Sequence, residues 1–373
     1  MTAPAFTEDD RHFMRVALSL SKRGLGNVWP NPSVGCVLVS PQGTIVGRGH
    51  TQPGGRPHAE RVALDVAGHI AKGATAYVTL EPCSHFGKSP PCAAGLIEAG
   101  VARVVCALED PDDRVSGRGH QMLRDAGIRV DIGLFADEAR HVNEGFLSRI
   151  ERDRPFVTLK LASTLDARSA THSGESQWIT GAAAREQGHL LRANHDAILV
   201  GANTVIADDP TLTCRIAGRE DQSPVRVILD RKGDVPVSVK LIETAEIVPT
   251  WLVVSDTHFS ELSEKFEKTS VKVVSAGCAD GHFDLHDVLR TLAGLGLTRV
   301  LVESGGSLAA GLLKVGFVDR VVHFVAPSMI GDDGKPMIAQ LGVTQLSDMP
   351  RFERVSVREM GEDIVVTYDN KTD

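Results

Sequence analysis

The chain has 373 residues, enough for two or three domains with cores of their own. Hydrophobic residues make up 42% and charged residues 24%, the balance of a globular protein, and a formal net charge of −8 gives no global basic field to draw in nucleic acid or an anionic membrane. No window approaches roughly 18 consecutive apolar residues, the acidic stretch MTAPAFTEDD lacks the apolar run of a signal peptide, and six irregularly spaced Cys make no disulfide framework, so a cytoplasmic protein is expected.

In chain order, Thr7 to Lys22 reads as a helix, with Thr7 as cap, Asp10 at the capping-box position, and Phe13, Ala17 and Leu20 on one face. Val34–Val39 and Thr44–Gly47 read as a strand pair around the turn SPQG. His58 opens a helix, Ala76–Leu80 is a buried strand, Ala93–Ala99 a helix, Val101–Leu108 a strand, and GRGHQMLRDAG a helix ending at Gly127. Glu138–Arg154 reads as one further helix ending in the charged run RIERDRP. The order β-β-α-β-α-β-α argues for a sheet with helices on both faces, and the run at residue 150 for a domain boundary, giving domains 1–150 and 151–373. The second domain is richer in strands: Phe156–Ser163, Ala197–Val200, Val225–Leu229, Trp251–Ser255, Val271–Ser275, Arg299–Val302, Arg320–Val325 and Ile364–Tyr368, with helices between several of them.

Four residues in the first domain carry chemistry: His58, Glu60, Cys83 and Cys92. One His and two Cys supply three ligands to zinc and leave a fourth position for water, the arrangement of a catalytic site. Bound zinc lowers the pKa of that water to about 7. Glu60, two residues after His58 in the same helical turn, can reach the water without being a ligand. Cys92 precedes a helix whose positive end favours the thiolate that zinc needs. Taken singly, each residue reads more readily as a core Cys or a surface His than as part of a site; the set of four, with Pro82 before Cys83, carries the metal reading. Cys36 and Cys106, in apolar strands, read as plain core.

The pattern H-A-E followed by P-C resembles the signature of zinc nucleobase deaminases, with the insert SHFGKSPP separating the two Cys where two residues are usual. Together with NPSVGCVLV, the stretch TLEPCSHFGKSPPC resembles the deaminase half of the bifunctional deaminase/reductases of riboflavin biosynthesis. That resemblance implies a three-layer α/β/α cytidine-deaminase-like fold, with Asn31 and His50 on the substrate, and His85 and Lys88 toward a ribose phosphate. Thr51 stands where the family often has a second His, and Lys88-Ser89 where Arg-Thr is common.

The remaining motifs resemble, in order, the reductase half of the same family, which is similar to the dihydrofolate reductase fold: TLKLASTLDAR, GESQWIT, LLRANHDAILVGANTVIADDPTLTCR and VLVESGGSLAAGLL. Read alone, the last is a strand, two glycines and a helix start, suited to a phosphate but not the G-x-G-x-x-G fingerprint. The resemblance implies substrate contacts from Ser176, Arg192, Leu212, Arg215 and Glu303. It implies NADPH contacts from Ala162, Trp178, Thr204 and Asp208 and from the loop Gly305, Gly306, Ser307, Leu308, Ala309, Ala310 and Gly311. Both Arg192 and Arg215 would face one sugar phosphate. Ala167 in STLDAR and Ser304 in ESGGS each replace a more usual glycine.

The expected activity is zinc-dependent deamination of 2,5-diamino-6-ribosylamino-4(3H)-pyrimidinone 5′-phosphate, with Glu60 as proton carrier. NADPH-dependent reduction of the ribosyl to a ribityl chain follows, with Lys160 or Asp208 as candidate general acid. One zinc per chain, NADPH, a small-molecule substrate and a homo-oligomer (dimer or tetramer) are expected, with no nucleic acid or membrane partner. Two other readings stand beside it. A deaminase of tRNA or free nucleotides is disfavoured by the acidic charge and the long insert. A zinc-stabilised binding protein is disfavoured by Glu60, since a structural site wants a fourth ligand.

Overall fold

The computed structural model describes residues 6–85, 90–112 and 116–371. It divides into two compact units, Met1–Asp153 and Arg154–Asp373.

The first unit begins with α1 (Glu8–Ser21). Thr7 and Asp10 form the full capping box, and the Asp10 carboxylate also accepts from Tyr77 and Arg103, docking the helix on the sheet. The sheet contains β1 (Gly35–Val39), β2 (Ile45–His50), β3 (Thr75–Val78), β4 (Arg103–Cys106) and β5 (Arg129–Ile132), in the order β2-β1-β3-β4-β5. β1 runs antiparallel to both its neighbours, and β3, β4 and β5 are parallel. Side chains alternate along the strands. Cys36, Leu38, Val78 and Cys106 face α2 (Ala59–Ala67), α3 (Cys92–Glu98) and α4 (Arg118–Asp125), whereas Val37, Val39, Tyr77 and Val105 face α1 and α5 (Ala136–Val142). The result is a three-layer α/β/α unit with its parallel strand ends and helix starts at one edge.

Two features depart from expectation. The strand β5 was not expected, because only one of its four residues is fully buried. The single helix expected over 138–154 is two, α5 and α6 (Glu144–Arg152), broken at Asn143. The buried Asn143 side chain accepts the Ser33 N–H at 2.9 Å and donates to the Ala139 carbonyl at 3.3 Å, so it anchors the NPSVG segment. A polar tether outweighs helix continuity here.

The second unit alternates strands and helices: β6 (Phe156–Thr164), α7 (Ala182–Ala193), β7 (Ala197–Gly201), α8 (Ala202–Asp208), β8 (Val225–Leu229), α9 (Lys240–Glu243), β9 (Thr250–Ser255), α10 (Phe259–Lys265), β10 (Lys272–Ala276), α11 (Leu285–Gly294), β11 (Arg299–Val302), α12 (Gly306–Lys314), β12 (Arg320–Ala326), β13 (Phe352–Met360) and β14 (Asp363–Asn370). They build a nine-stranded sheet in the order β10-β9-β8-β7-β11-β6-β12-β14-β13. The strands from β10 to β12 are parallel, and β8, β9 and β11 read as apolar runs because both their faces are covered; β14 and β13 close one side antiparallel. β13 was not expected: none of its nine residues is fully buried, so its sequence FERVSVREM shows no apolar face.

Strand order reverses where β11 returns between β7 and β6. The carboxyl ends there form the crevice in which open α/β sheets bind ligands.

Candidate active sites

In the first unit the sequence order of His58, Glu60, Cys83 and Cys92 becomes one cluster. His58 caps α2 with an extended backbone, Cys83 follows the exit of β3, and Cys92 is the first residue of α3. The His58 Nδ1 lies 3.4 Å from Cys92 Sγ and 3.7 Å from Cys83 Sγ, and all three donor atoms lie within 4.8 Å of one another. A tetrahedral zinc with Zn–S of about 2.3 Å and Zn–N of about 2.0 Å requires N···S separations of about 3.5 Å, so the three groups fit that ion without rearrangement. The first amide of α3, that of Cys92, donates to Cys83 Sγ at 3.3 Å. The Cys92 thiol above all, with the His58 ring and this amide, holds the Cys83 thiol down at about 4, against burial.

Glu60 stands in the first turn of α2 and is buried. Burial pushes its carboxyl up to about 7; the His58 charge opposes this and the Cys83 charge adds to it. The four residues therefore combine three soft donors with one non-ligand acid whose proton is loosely held at neutral pH.

Around them is a cavity of about 550 Å³, within the range of roughly 300–1,000 Å³ usual for small-molecule sites. Asn31 and His85 line it, as expected. One Asn31 amide hydrogen goes to the Gly55 carbonyl at 3.1 Å; Gly55 has φ +81°, and a Cβ there would collide with that amide. His85 Nδ1 is buried without a partner among the described residues. Lys88 and Ser89 lie outside the described residues. His50 ends β2 and is not among the residues lining the cavity. Its neighbour Thr51 does line it, donating to the Pro32 carbonyl and accepting from the Val34 N–H, so it braces the NPSVG segment.

Sequence reasoning missed Arg56, Arg149, Asp110 and Asp112, which also line the cavity. The cavity lining thus carries two guanidinium groups as well as acids. Burial pushes Asp110 up to about 6, and the nearby Asp112 and Glu81 charges add to that, against an N–H from Asp112. EDPDD, just after β4, held the only signal for the acids: polar residues at a parallel strand end.

A second group of donors, Glu81, Glu109 and His120, also lies within 4.8 Å. Its central carboxylate is already engaged by the backbone. The buried Glu81 carboxylate accepts the amides of Asp110, Gly117, Gly119 and His120 at 2.9–3.3 Å, two on each oxygen, which uses its lone pairs. It fastens Asp110 and the start of α4 to the turn that carries Cys83.

In the second unit a narrow cleft of about 90 Å³ brings together Lys160, Trp178, Arg192, Arg215 and Glu303. They come from β6, the segment before α7, α7, the loop after α8, and the end of β11. Both arginines expected on one phosphate line the cleft, but their side chains are engaged differently. Arg192 is paired with Glu303 through two parallel contacts of 2.9 and 3.0 Å, and its third nitrogen donates to the Thr213 carbonyl. Burial alone would raise the Glu303 pKa; the charges of Arg192 and Lys160 outweigh it and hold it at about 2. Lys160 stands 3.5 Å from Glu303, whereas Asp208, the other candidate acid, is exposed at the end of α8 and outside the cleft. Arg185 and His189, unforeseen from sequence, complete the wall. Ser176 and Leu212 do not line the cleft; Leu212 is buried with φ +52°. Trp178 is 65% exposed, with the Arg185 guanidinium 4.7 Å above its ring, so it is no core residue.

Of the residues expected on the cofactor, Thr204, Asp208 and the 305–311 loop stand after the neighbouring ends of β7 and β11. Gly201 opens α8, which holds Thr204 and Asp208, and Gly305 opens α12, which runs from Gly306 through Ser307, Leu308, Ala309, Ala310 and Gly311. Ser304 Oγ accepts the Gly201 N–H at 3.2 Å and links the two. The glycines differ in purpose. A Cβ on Gly305 would meet open space, whereas one on Gly306 would strike the Ile338–Ala339 backbone. No side chain caps α12, so its first amides suit an anion such as a pyrophosphate. Ala162 lies in β6, opposite Phe324 of β12. Ala167 adopts φ +61°, a left-handed conformation that favours the glycine it replaces.

Comparison with known proteins follows the same division. A family model described as the cytidine and deoxycytidylate deaminase zinc-binding region matches residues 7–108, and one described as the RibD C-terminal domain matches residues 155–366. The riboflavin biosynthesis protein RibD of Aquifex aeolicus is 44% identical over 361 residues, 97% of this chain and 98% of that protein. The solved structure of Acinetobacter baumannii RibD (form 1) superposes with a TM-score of 0.89 at 37% identity, covering 98% of this chain and 99% of that one. A Thermotoga maritima structure described as a diaminohydroxyphosphoribosylaminopyrimidine deaminase/5-amino-6-(5-phosphoribosylamino)uracil reductase does so with a TM-score of 0.83 at 35% identity, covering 97% and 99%. Both halves, in order and over nearly their full length, thus have the same counterparts, and the chain belongs to the RibD family of riboflavin biosynthesis proteins.

Proposed function

We propose that the chain deaminates 2,5-diamino-6-ribosylamino-4(3H)-pyrimidinone 5′-phosphate in its first unit and reduces the ribosyl group of the product to ribityl in its second. Family membership makes it a bifunctional deaminase and reductase of riboflavin biosynthesis. The substrate and the residue roles are our reading. The observation that carries it is the composition of the first cluster: three donors spaced for zinc, and beside them an acid that is not needed as a ligand.

His58, Cys83 and Cys92 would hold one zinc. When bound, the ion supplies Lewis acidity that lowers the pKa of a water in its open position to about 7. Glu60, with a pKa of about 7, takes one proton from the attacking water and delivers it to the ring nitrogen, then carries the second, from the hydroxyl of the adduct, to the departing amine as the carbonyl forms, so that water is consumed and ammonia released. Asn31 offers an amide to the pyrimidine edge, and His85, Arg56 and Arg149 offer polar groups to the sugar phosphate.

In the second unit, NADPH would supply the hydride for C1′ of the ribose, with its pyrophosphate at the start of α12 and Trp178 and Thr204 beside it. Arg215 binds the sugar phosphate; Glu303, fixed by Arg192, orients the sugar; Lys160 is the nearest proton donor. A cytoplasmic homo-oligomer fits this role. The test is purified protein with the diaminopyrimidine, followed separately for ammonia and for NADPH oxidation. Ammonia should appear without NADPH, and NADPH oxidation should follow deamination. NADPH oxidation that precedes ammonia release would reverse the proposed order.

A further inference from the structure

α7 places Arg185, His189 and Arg192 at i, i+4 and i+7, a single helical face, and that face forms one wall of the reductase cleft. Arg192 is committed to Glu303 and to the Thr213 carbonyl. Arg215 is different. It is exposed on the loop after α8, and its hydrogen bond to a side chain is from Nε to His189 Nε2 at 3.3 Å. His189 in turn uses Nδ1 on the Thr213 carbonyl, two residues before Arg215, at 3.1 Å. A carbonyl only accepts, so Nδ1 carries the hydrogen and Nε2 presents its lone pair to the arginine. One neutral imidazole thus holds both the backbone of the loop and the guanidinium it carries, through Nε alone, on a residue that lines the cleft.

We propose that His189 is a positioning residue for Arg215, and that protonation of its imidazole releases the arginine from its place in the sugar-phosphate site of the reductase. This rests on the reading that Arg215 binds the substrate phosphate. In the protonated ring Nε2 becomes a donor facing another donor, and a positive charge is added beside Arg215 and Arg192. The cleft already holds Lys160 and Arg185, and Glu303, its one acid, is paired with Arg192 and Lys160. Burial and the two arginine charges lower the His189 pKa from its usual value, so the neutral form prevails at neutral pH and the change falls on the acid side.

The test compares wild type, His189→Ala, His189→Gln and Arg215→Ala in steady-state reduction of the deaminated sugar phosphate. Glutamine can mimic both contacts, with its amide N–H toward Thr213 and its oxygen toward Arg215, but it does not titrate. His189→Ala should raise the KM for the sugar phosphate by about two- to tenfold, with a smaller change in kcat and in the KM for NADPH. His189→Gln should recover most of that loss at neutral pH. As pH falls toward 5, KM should rise more steeply for wild type than for His189→Gln; the phosphate's own ionisation, with a pKa of about 6, is common to both and cancels in the comparison. An unchanged KM in His189→Ala, or identical acid-side profiles for wild type and His189→Gln, would overturn the role of His189. If Arg215→Ala also leaves the KM unmoved, the underlying assignment of Arg215 fails as well; if Arg215→Ala raises it, only the role of His189 fails.

Discussion

The deaminase site draws its donors and its acid from two short stretches, 58–60 and 83–92, brought together by the start of α2, the exit of β3 and the start of α3. The reductase cleft draws on six segments, and its most buried ion pair joins Arg192 to a glutamate 111 residues away. The first site is a set of ligand types that can do little else together, placed around a cavity of about 550 Å³. The second is a set of charges that largely satisfy one another around about 90 Å³. One site is therefore defined by the ion it can hold, and the other by how its own charges are balanced. Substitutions should fail differently in the two: by loss of an all-or-none component in the first, by graded loss of affinity in the second.

The largest effect is expected for Cys83→Ala. It removes one of three donors, so metal analysis should fall from one zinc per chain toward none, with ammonia release falling alongside, while reductase constants stay within about twofold. Full zinc retention would remove Cys83 from the ligand set. Arg215→Ala should be graded. Losing one charge-assisted contact, worth about 1.5–3 kcal/mol, should raise the reductase KM for its sugar phosphate roughly 10- to 150-fold, leaving the KM for NADPH and the deaminase untouched. Arg215→Lys should recover only part, because a point charge lacks the guanidinium fork. A rise in the NADPH KM instead would move Arg215 to the cofactor.

A smaller effect tests the internal charge balance. Glu303 is held at about 2 against an ordinary 4.5, so its ionised form favours the folded state. That contribution is present above pH 4.5 and is lost as pH falls through about 2. Glu303→Gln should therefore be less stable than the parent at neutral pH in urea denaturation, and the gap should close between pH 4.5 and 2. A gap that is constant across that range would mean that the pair with Arg192 and Lys160 adds nothing to stability. The smallest effect is expected at Ala167, where φ is +61°. Ala167→Gly should relieve up to about 1 kcal/mol of left-handed strain and raise the melting temperature slightly; a fall would show that glycine's extra freedom in the unfolded chain outweighs that strain.

The same contrast explains what could be read before the fold was seen. His58, Glu60, Cys83 and Cys92 were legible because metal chemistry restricts residue type as well as spacing. The capping box at Thr7 and Asp10, and the apolar runs of β8, β9 and β11, were legible because local pattern and burial agree there. The helix break at Asn143 was not, since its cause is a hydrogen bond to Ser33, 110 residues away. β13 was not, since a strand without a buried face has no alternation to read. Asp110, Asp112, Arg56 and Arg149 look like ordinary surface charges until the fold turns them to one cavity. The pairing of Arg192 with Glu303 was equally hidden: both residues were assigned to the substrate, and sequence cannot say that they reach each other first. The i, i+4, i+7 spacing of Arg185, His189 and Arg192 was visible, but on an acidic chain it reads as a solvated helix face.

The central claim is that two chemically independent sites share this chain, and Glu60→Gln tests it most directly. The substitution keeps size and polarity but cannot take a proton. With zinc content checked in the same preparation, ammonia release from the diaminopyrimidine should fall by at least about 10²-fold. NADPH oxidation by the same variant, supplied with the already deaminated sugar phosphate, should match wild type. Near-normal ammonia release, or a collapse of both activities with zinc retained, would contradict the account.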